Sequence, residues 1–120
     1  MSKSGRQQGE LEALILDALW NSSGEPLTSQ QILELVSPEE SLALTTILTV
    51  LSRLVDKELV TRKPGAGRSL LFSAAQSREQ HTADLMLKLV SGADNPSLAF
   101  SHFADGLTPA QLEALRNSLT

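Results

Sequence analysis

The sequence predicts a mainly α-helical fold carrying one small β-hairpin, and three observations predict it. Apolar residues recur at helical spacing through most of the chain, as in Ile47, Val50, Leu51, Leu54 and Val55. Only between Leu59 and Ser73 does the pattern turn strand-like, with Pro64-Gly65-Ala66-Gly67 dividing it. Helix-start signals recur as well, with Thr28 three residues before Gln31 and Thr108 three residues before Gln111.

At 120 residues the chain is one domain, or one small domain with an appendage. A hydrophobic fraction of 41% is enough for a core. With no Cys, disulfides and thiolate metal sites are excluded. No apolar run reaches membrane-spanning length, so no membrane insertion is expected. The opening MSKSGRQQ has no apolar region of the kind a signal peptide needs, and a cytoplasmic protein is expected. An enzyme is not expected. The chain has neither a Cys nucleophile nor a Gly-rich phosphate loop of motif length, and no His-carboxylate pair near a Ser in a plausible pocket. No cofactor is expected either.

Gly9 to Trp20 reads as an amphipathic helix with Leu11, Leu14, Ile15, Ala18 and Leu19 on one face. Glu10 and Glu12 fall in its first turn, where the helix dipole favours acids. Trp20, the only tryptophan, is placed to close the core. After the turn cluster NSSGEP, Thr28 caps a second helix. Gln31 completes a capping box and Leu27 can staple onto Ile32. Ser37-Pro38 ends that helix near Val36. Pro38 to Leu42 is a short linker into a central helix over Ala43–Leu59. Two short helices and a tight connection before an outward-facing helix resemble a helix-turn-helix.

The central helix carries Thr45, Thr46, Thr49, Ser52 and Arg53 opposite its apolar face. Short hydroxyls and one guanidinium, with no acid until Asp56, suit a DNA major groove. Thr45, Thr46 and Thr49 are placed for base edges and thymine methyls, and Ser52 and Arg53 for phosphate. Arg53 has an alternative, an internal ion pair with Asp56 or Glu58.

Leu59–Lys63 and Arg68–Ser73 read as two strands joined by the glycine-rich turn. A hairpin directly after a groove-reading helix is a wing. Lys63 and Arg68 flank its tip, where they can reach phosphate or the minor groove. The whole is thus a winged helix-turn-helix. The net charge of −4 at first argues against nucleic acid. From Ser41 to Ser73, however, the balance is +3, against −7 for the rest. Between Leu59 and Arg78 there is no acid. A local basic patch on an acidic chain suits a DNA backbone on one face.

Ser77 caps a further helix, with Ala83, Met86, Leu87 and Val90 on one face and Leu85 and Leu89 broadening it. Asn95-Pro96 starts the next, with Leu98, Ala99, Phe100 and Phe103 apolar, and Gly106 stops it. Thr108 opens the last, striped by Leu112, Leu115 and Leu119. The division is therefore a DNA-binding domain over 1–76 and a helical dimerisation region over 77–120. Three short apolar-faced helices have too little core to stand alone. Either a second copy covers them, or they pack back onto their own winged domain. The dimerisation residues expected are Leu85, Met86, Leu89, Leu98, Phe100, Phe103, Leu112 and Leu115. His81 with Asp84 and His102 with Asp105 share helix faces at i, i+3. Zinc takes three or four ligands, so no metal site is read there.

With these residues in view, the chain resembles the penicillinase-repressor (BlaI/MecI) family of winged-helix transcriptional repressors. Three stretches carry the resemblance: GELEALILDALW, TTILTVLSRLVDKELV and SLAFSHFADGLTPAQLEALRNSL. The second matches the family's recognition helix at Thr46, Ile47, Thr49, Leu51, Arg53, Leu54, Lys57 and Val60. The resemblance implies a homodimer that binds a palindromic double-stranded DNA operator and represses transcription. In some members it also implies relief by proteolysis, triggered by a membrane-bound sensor protease of β-lactams, and so a link to antibiotic resistance. The matching bond would be His102–Phe103, where His102 stands in place of the family's Asn. A position that is often Lys in the family is Leu48 here, which implies a different operator preference. The copper-sensing branch uses a Cys cluster that this chain lacks. Two other functions stay open: a winged helix that binds a protein partner, and a same-fold repressor induced by a small molecule.

Overall fold

The computed structural model describes residues 8–39 and 41–120. The polar start ahead of residue 8 lies outside the described residues, and so does Glu40 in the linker before the central helix. Six helices and one hairpin follow in the order α1 (Gln8–Asn21), α2 (Ser29–Val36), α3 (Leu44–Asp56), β1 (Val60–Pro64), β2 (Leu70–Ala74), α4 (Arg78–Ser91), α5 (Pro96–Gly106) and α6 (Pro109–Ser118). The described chain forms two compact units, the first ending at His81 and the second spanning Thr82–Thr120.

The first unit holds the core. Leu11, Ile15, Leu16 and Leu19 of α1 meet Ile32 of α2 and Ile47, Val50, Leu51 and Leu54 of α3, with Val60 and Phe72 from the hairpin. Leu16, outside the expected stripe of α1, is buried too. It widens the apolar face so that α1 packs on α2, α3 and β2 at once. Ile15, Ile32, Ile47, Leu51 and Leu54 are almost fully shielded from water. Truncating any of them to Ala removes contacts worth about 2–5 kcal/mol.

Local signals set the helix starts. The Thr28 side chain accepts from the Gln31 amide at 3.1 Å, and the Gln31 side chain accepts from the Thr28 amide at 2.8 Å. Thr108 and Gln111 repeat this box at the start of α6. Ser77 accepts from the Gln80 amide at 3.0 Å, and Asn95 from the Leu98 amide at 3.1 Å.

The turn between α2 and α3 is held by Ser37, the one buried polar side chain among the described residues. Its Oγ accepts from the amides of Ser41 at 3.0 Å and Leu42 at 3.2 Å. Two backbone amides of a tight turn thereby gain a side-chain acceptor.

α3 is shorter than expected from the sequence. It stops at Asp56 because Glu58 takes a left-handed φ of 64°. The Leu59 amide then reaches the Leu54 carbonyl, and the Glu58 amide reaches Val55, both at 2.9 Å. This is a Schellman closure with glutamate where glycine is usual.

The hairpin is antiparallel, with Val60 opposite Ala74, Arg62 opposite Phe72 and Pro64 opposite Leu70. Each strand lies a residue or two later in the chain than the sequence pattern suggested. Leu27 adds a single bridge to the outer edge of β2, exchanging both backbone bonds with Phe72. The wing is thus tied to the segment entering α2.

From α4 onward, none of the three helices contains a buried residue. No pair of these helices packs along its length. Among the described residues, no helix is long and apolar enough to cross a membrane.

Candidate nucleic-acid interface

The exposed side of α3 is built by its buried side. Ile47, Val50, Leu51 and Leu54 fix one face in the core. The roughly 100° per residue of a helix then turns Thr45, Thr46, Thr49, Ser52 and Arg53 outward, and all five are exposed. The Thr49 hydroxyl donates to the Thr45 carbonyl at 2.9 Å. Its proton is spent within the helix, so toward a partner Thr49 offers a methyl group and an accepting oxygen. Ala43 precedes the helix and gives no side-chain cap.

Arg53 forms no ion pair among the described residues, so the internal pairing with Asp56 or Glu58 is not made. Lys57 is the base that is engaged. Its Nζ lies 3.0 Å from both carboxylate oxygens of Glu12 on α1. That contact ties the end of α3 to the start of α1 and turns one base of the local patch to an internal partner. The sequence could not show this, because the two residues are 45 positions apart.

At the wing, Lys63 on β1 and Arg68 in the turn are both exposed, as is Arg62. The two glycines between them serve the turn itself. Gly67 has a φ of 62°, which side chains rarely adopt. At Gly65 a Cβ would lie 2.8 Å from Ser69 Oγ and 3.0 Å from Leu71 Cγ. The turn is closed by the Gly65 amide on the Ser69 carbonyl at 2.9 Å, and by Ser69 Oγ on the Ala66 carbonyl at 2.6 Å. Lys63 and Arg68 are therefore presented on a fixed loop.

Two exposed leucines lie beside these polar groups. Leu48 of α3 is 41% exposed and Leu70 of β2 is 40% exposed. With Phe72 they line an open depression of about 420 Å³, together with Thr28, Ser29, Gln30, Arg68 and Ser69. The helical pattern alone gave no signal that Leu48 faces water beside the wing. Leu70 is held there by the hairpin register, in which it pairs with Pro64.

In the second unit, Leu85, Met86, Leu89, Leu98, Phe100 and Phe103 are exposed, while Leu112 and Leu115 are half-buried. Leu87 and Leu119 are exposed as well. His102 and Phe103 both lie within α5 and both are exposed. Among the described residues, no three His, Asp or Glu side chains converge as a metal site would require. His81 instead sits against Trp20, ring centres 5.4 Å apart.

The family model described as penicillinase repressor matches residues 8–120. The transcriptional regulator BlaI of Mycobacterium tuberculosis is 32% identical over 114 residues, covering 92% of this chain and 81% of the relative. Among solved structures, a MarR-family transcriptional regulator from Rhodococcus sp. RHA1 aligns with a TM-score of 0.47 and 15% identity, over 91% of this chain and 70% of that one. The zinc-responsive MarR-family member ZitR of Lactococcus lactis aligns with a TM-score of 0.41 and 17% identity, over 99% and 74%. Structural likeness at that level is too loose to bear on function. The sequence relationship is not: the chain belongs to the penicillinase repressor family, whose members are transcriptional regulators and not enzymes.

Proposed function

We propose that the protein represses transcription by binding a palindromic operator as a homodimer, with α3 in the major groove and the wing on the phosphate backbone. The observation that carries this is the outer face of α3. Three threonines, a serine and an arginine without an internal partner among the described residues stand out from a helix whose other face is locked in the core. A rigid helix with short donors and acceptors fits the groove, and fixed bases at Lys63 and Arg68 suit phosphate. DNA binding of this kind is work for the cytoplasm.

Dimerisation is the second part of this reading, through 77–120. Exposed Leu85, Met86, Leu89, Leu98, Phe100 and Phe103 leave an apolar surface with no core beneath it. A second copy is the simplest cover, and a two-fold pair of reading helices matches a two-fold operator. Relief by a membrane-bound sensor protease belongs to the same reading. The exposure of His102 and Phe103 favours access, but their place within α5 means that this turn must open before cleavage.

Binding of the purified protein to DNA upstream of its own gene, at two salt concentrations, tests the proposal beside a Thr49→Ala, Arg53→Ala variant. Sequence-selective binding that weakens with salt and is lost in the variant is expected. Absence of selective binding at either salt overturns it, and the winged helix is then a protein-binding module.

A further inference from the structure

We propose that Leu48 reads a thymine methyl in each half-site and is a specificity-determining residue of the interface. This rests on the operator-binding reading and adds to it a base identity.

Leu48 is the large apolar side chain on the outward side of α3, among threonines, a serine and an arginine. It is 41% exposed and is not one of the partly buried residues that back the core. It stands one residue before Thr49 and four before Ser52, on the edge of the hydroxyl face nearest the wing. Leu70 shares its depression, so the apolar surface there comes from two separate elements. Arg68 and the Ser29 and Gln30 side of α2 rim the same depression. The apolar spot is therefore continuous with the basic wing and the hydroxyl face, and a polyanion held by those groups would cover it.

The chemistry of the groove names the occupant. Base edges in the major groove present nitrogen and oxygen acceptors, amino donors, and one apolar group, the C5-methyl of thymine. A leucine pressed against an amino or carbonyl edge strips it of water and gives nothing back. Against a methyl it removes two apolar surfaces from water together. Leu48 thus favours thymine by contact and disfavours the other bases by leaving their polar edges unpaired.

Sites selected from random duplex DNA by the full-length protein, and by Leu48→Ala and Leu48→Met variants, test this. The wild type is expected to require thymine at one position per half-site. Leu48→Met keeps that requirement and Leu48→Ala loses it, with the other positions unchanged. Replacing that thymine by deoxyuridine, which lacks only the methyl, weakens wild-type binding about fourfold per half-site and Leu48→Ala binding hardly at all. Fourfold corresponds to the ~0.8 kcal/mol of one buried carbon group. An identical selected sequence for wild type and Leu48→Ala, or an equal uracil effect on both, overturns the assignment while leaving the operator reading intact. Failure of the wild type to select any sequence overturns both.

Discussion

The indole nitrogen of Trp20 donates to the carbonyl oxygen of Gln76 at 2.9 Å, joining residues 56 positions apart. The bond fixes the end of α1 to the segment that enters α4. Arg78 lies over the same indole, its guanidinium carbon 4.9 Å from the ring centre, while pairing with Asp17 and donating to Asn21 at 3.1 Å. Trp20→Phe keeps the ring and loses the donor. It is expected to lower stability by about 1 kcal/mol, read as a lower urea midpoint by circular dichroism. Arg78→Ala should cost a further ~0.5–1 kcal/mol, chiefly from the ring contact, since the ion pair is exposed. Unchanged midpoints in both variants would show that the tryptophan does no more than fill space.

Ser37 makes the turn of the helix-turn-helix. Its hydroxyl is buried and accepts from two amides. Ser37→Ala leaves both amides without that partner, and about 1–3 kcal/mol of stability should be lost. Ser37→Asn, which restores an acceptor of longer reach, should recover part of it. A loss under about 0.5 kcal/mol in Ser37→Ala, the level of an ordinary surface change, contradicts the role.

What the sequence revealed and what it hid separate by distance along the chain. Thr28 with Gln31 and Thr108 with Gln111 were legible because a capping box is complete within four residues. The outward set on α3 was legible because four strong apolar residues fixed the opposite face. The end of α3 was not. Glu58 carries no residue-type signal for a left-handed cap, and only the closure onto Leu54 and Val55 reveals it. Long-range pairings were equally silent. Lys57 belongs to the basic stretch by sequence, but its ammonium is held by Glu12. The local pattern around Leu27 shows a staple onto Ile32, whereas the pairing of its backbone with Phe72 is visible only in the fold.

Glu58 gives a stabilising prediction. A non-glycine residue in left-handed backbone carries a strain that glycine avoids. Part of the gain is offset by the greater freedom of glycine in the unfolded chain. Glu58→Gly is expected to raise stability by about 0.5–1 kcal/mol, seen as a higher thermal midpoint. A fall would mean that the glutamate side chain contributes more than its backbone costs.

The bases of the candidate interface should divide into two kinds. Lys63→Ala and Arg68→Ala each remove an exposed charge on the fixed wing. Each should weaken DNA binding alike across sequences and reduce the salt slope by about 1. Lys57→Ala should leave the slope almost unchanged, because its ammonium is held by Glu12. That pair is half-exposed, so the stability cost of losing it stays within about 1 kcal/mol. Titrations over several salt concentrations distinguish the three variants. A slope change in Lys57→Ala equal to that at the wing would place Lys57 on the DNA.

Leu89 and Phe103 test how the apolar faces of the second unit are covered. Leu89 is 77% exposed and Phe103 is 45% exposed, within helices that contain no buried residue. Burying a leucine or phenylalanine is worth about 1.5–3 kcal/mol, so a shared face containing several of them can hold two chains together. An aspartate in the middle of such a face would have to be buried without a partner, and association should fail. Sedimentation equilibrium should give a dimer for the wild type and a monomer for Leu89→Asp and Phe103→Asp at the same concentration. Circular dichroism should still report the helices of the first unit, since neither residue belongs to its core. If the helices instead fold against their own winged domain, both variants lose stability while the wild type already sediments as a monomer. The mass of the wild type therefore separates the two arrangements before any variant is made.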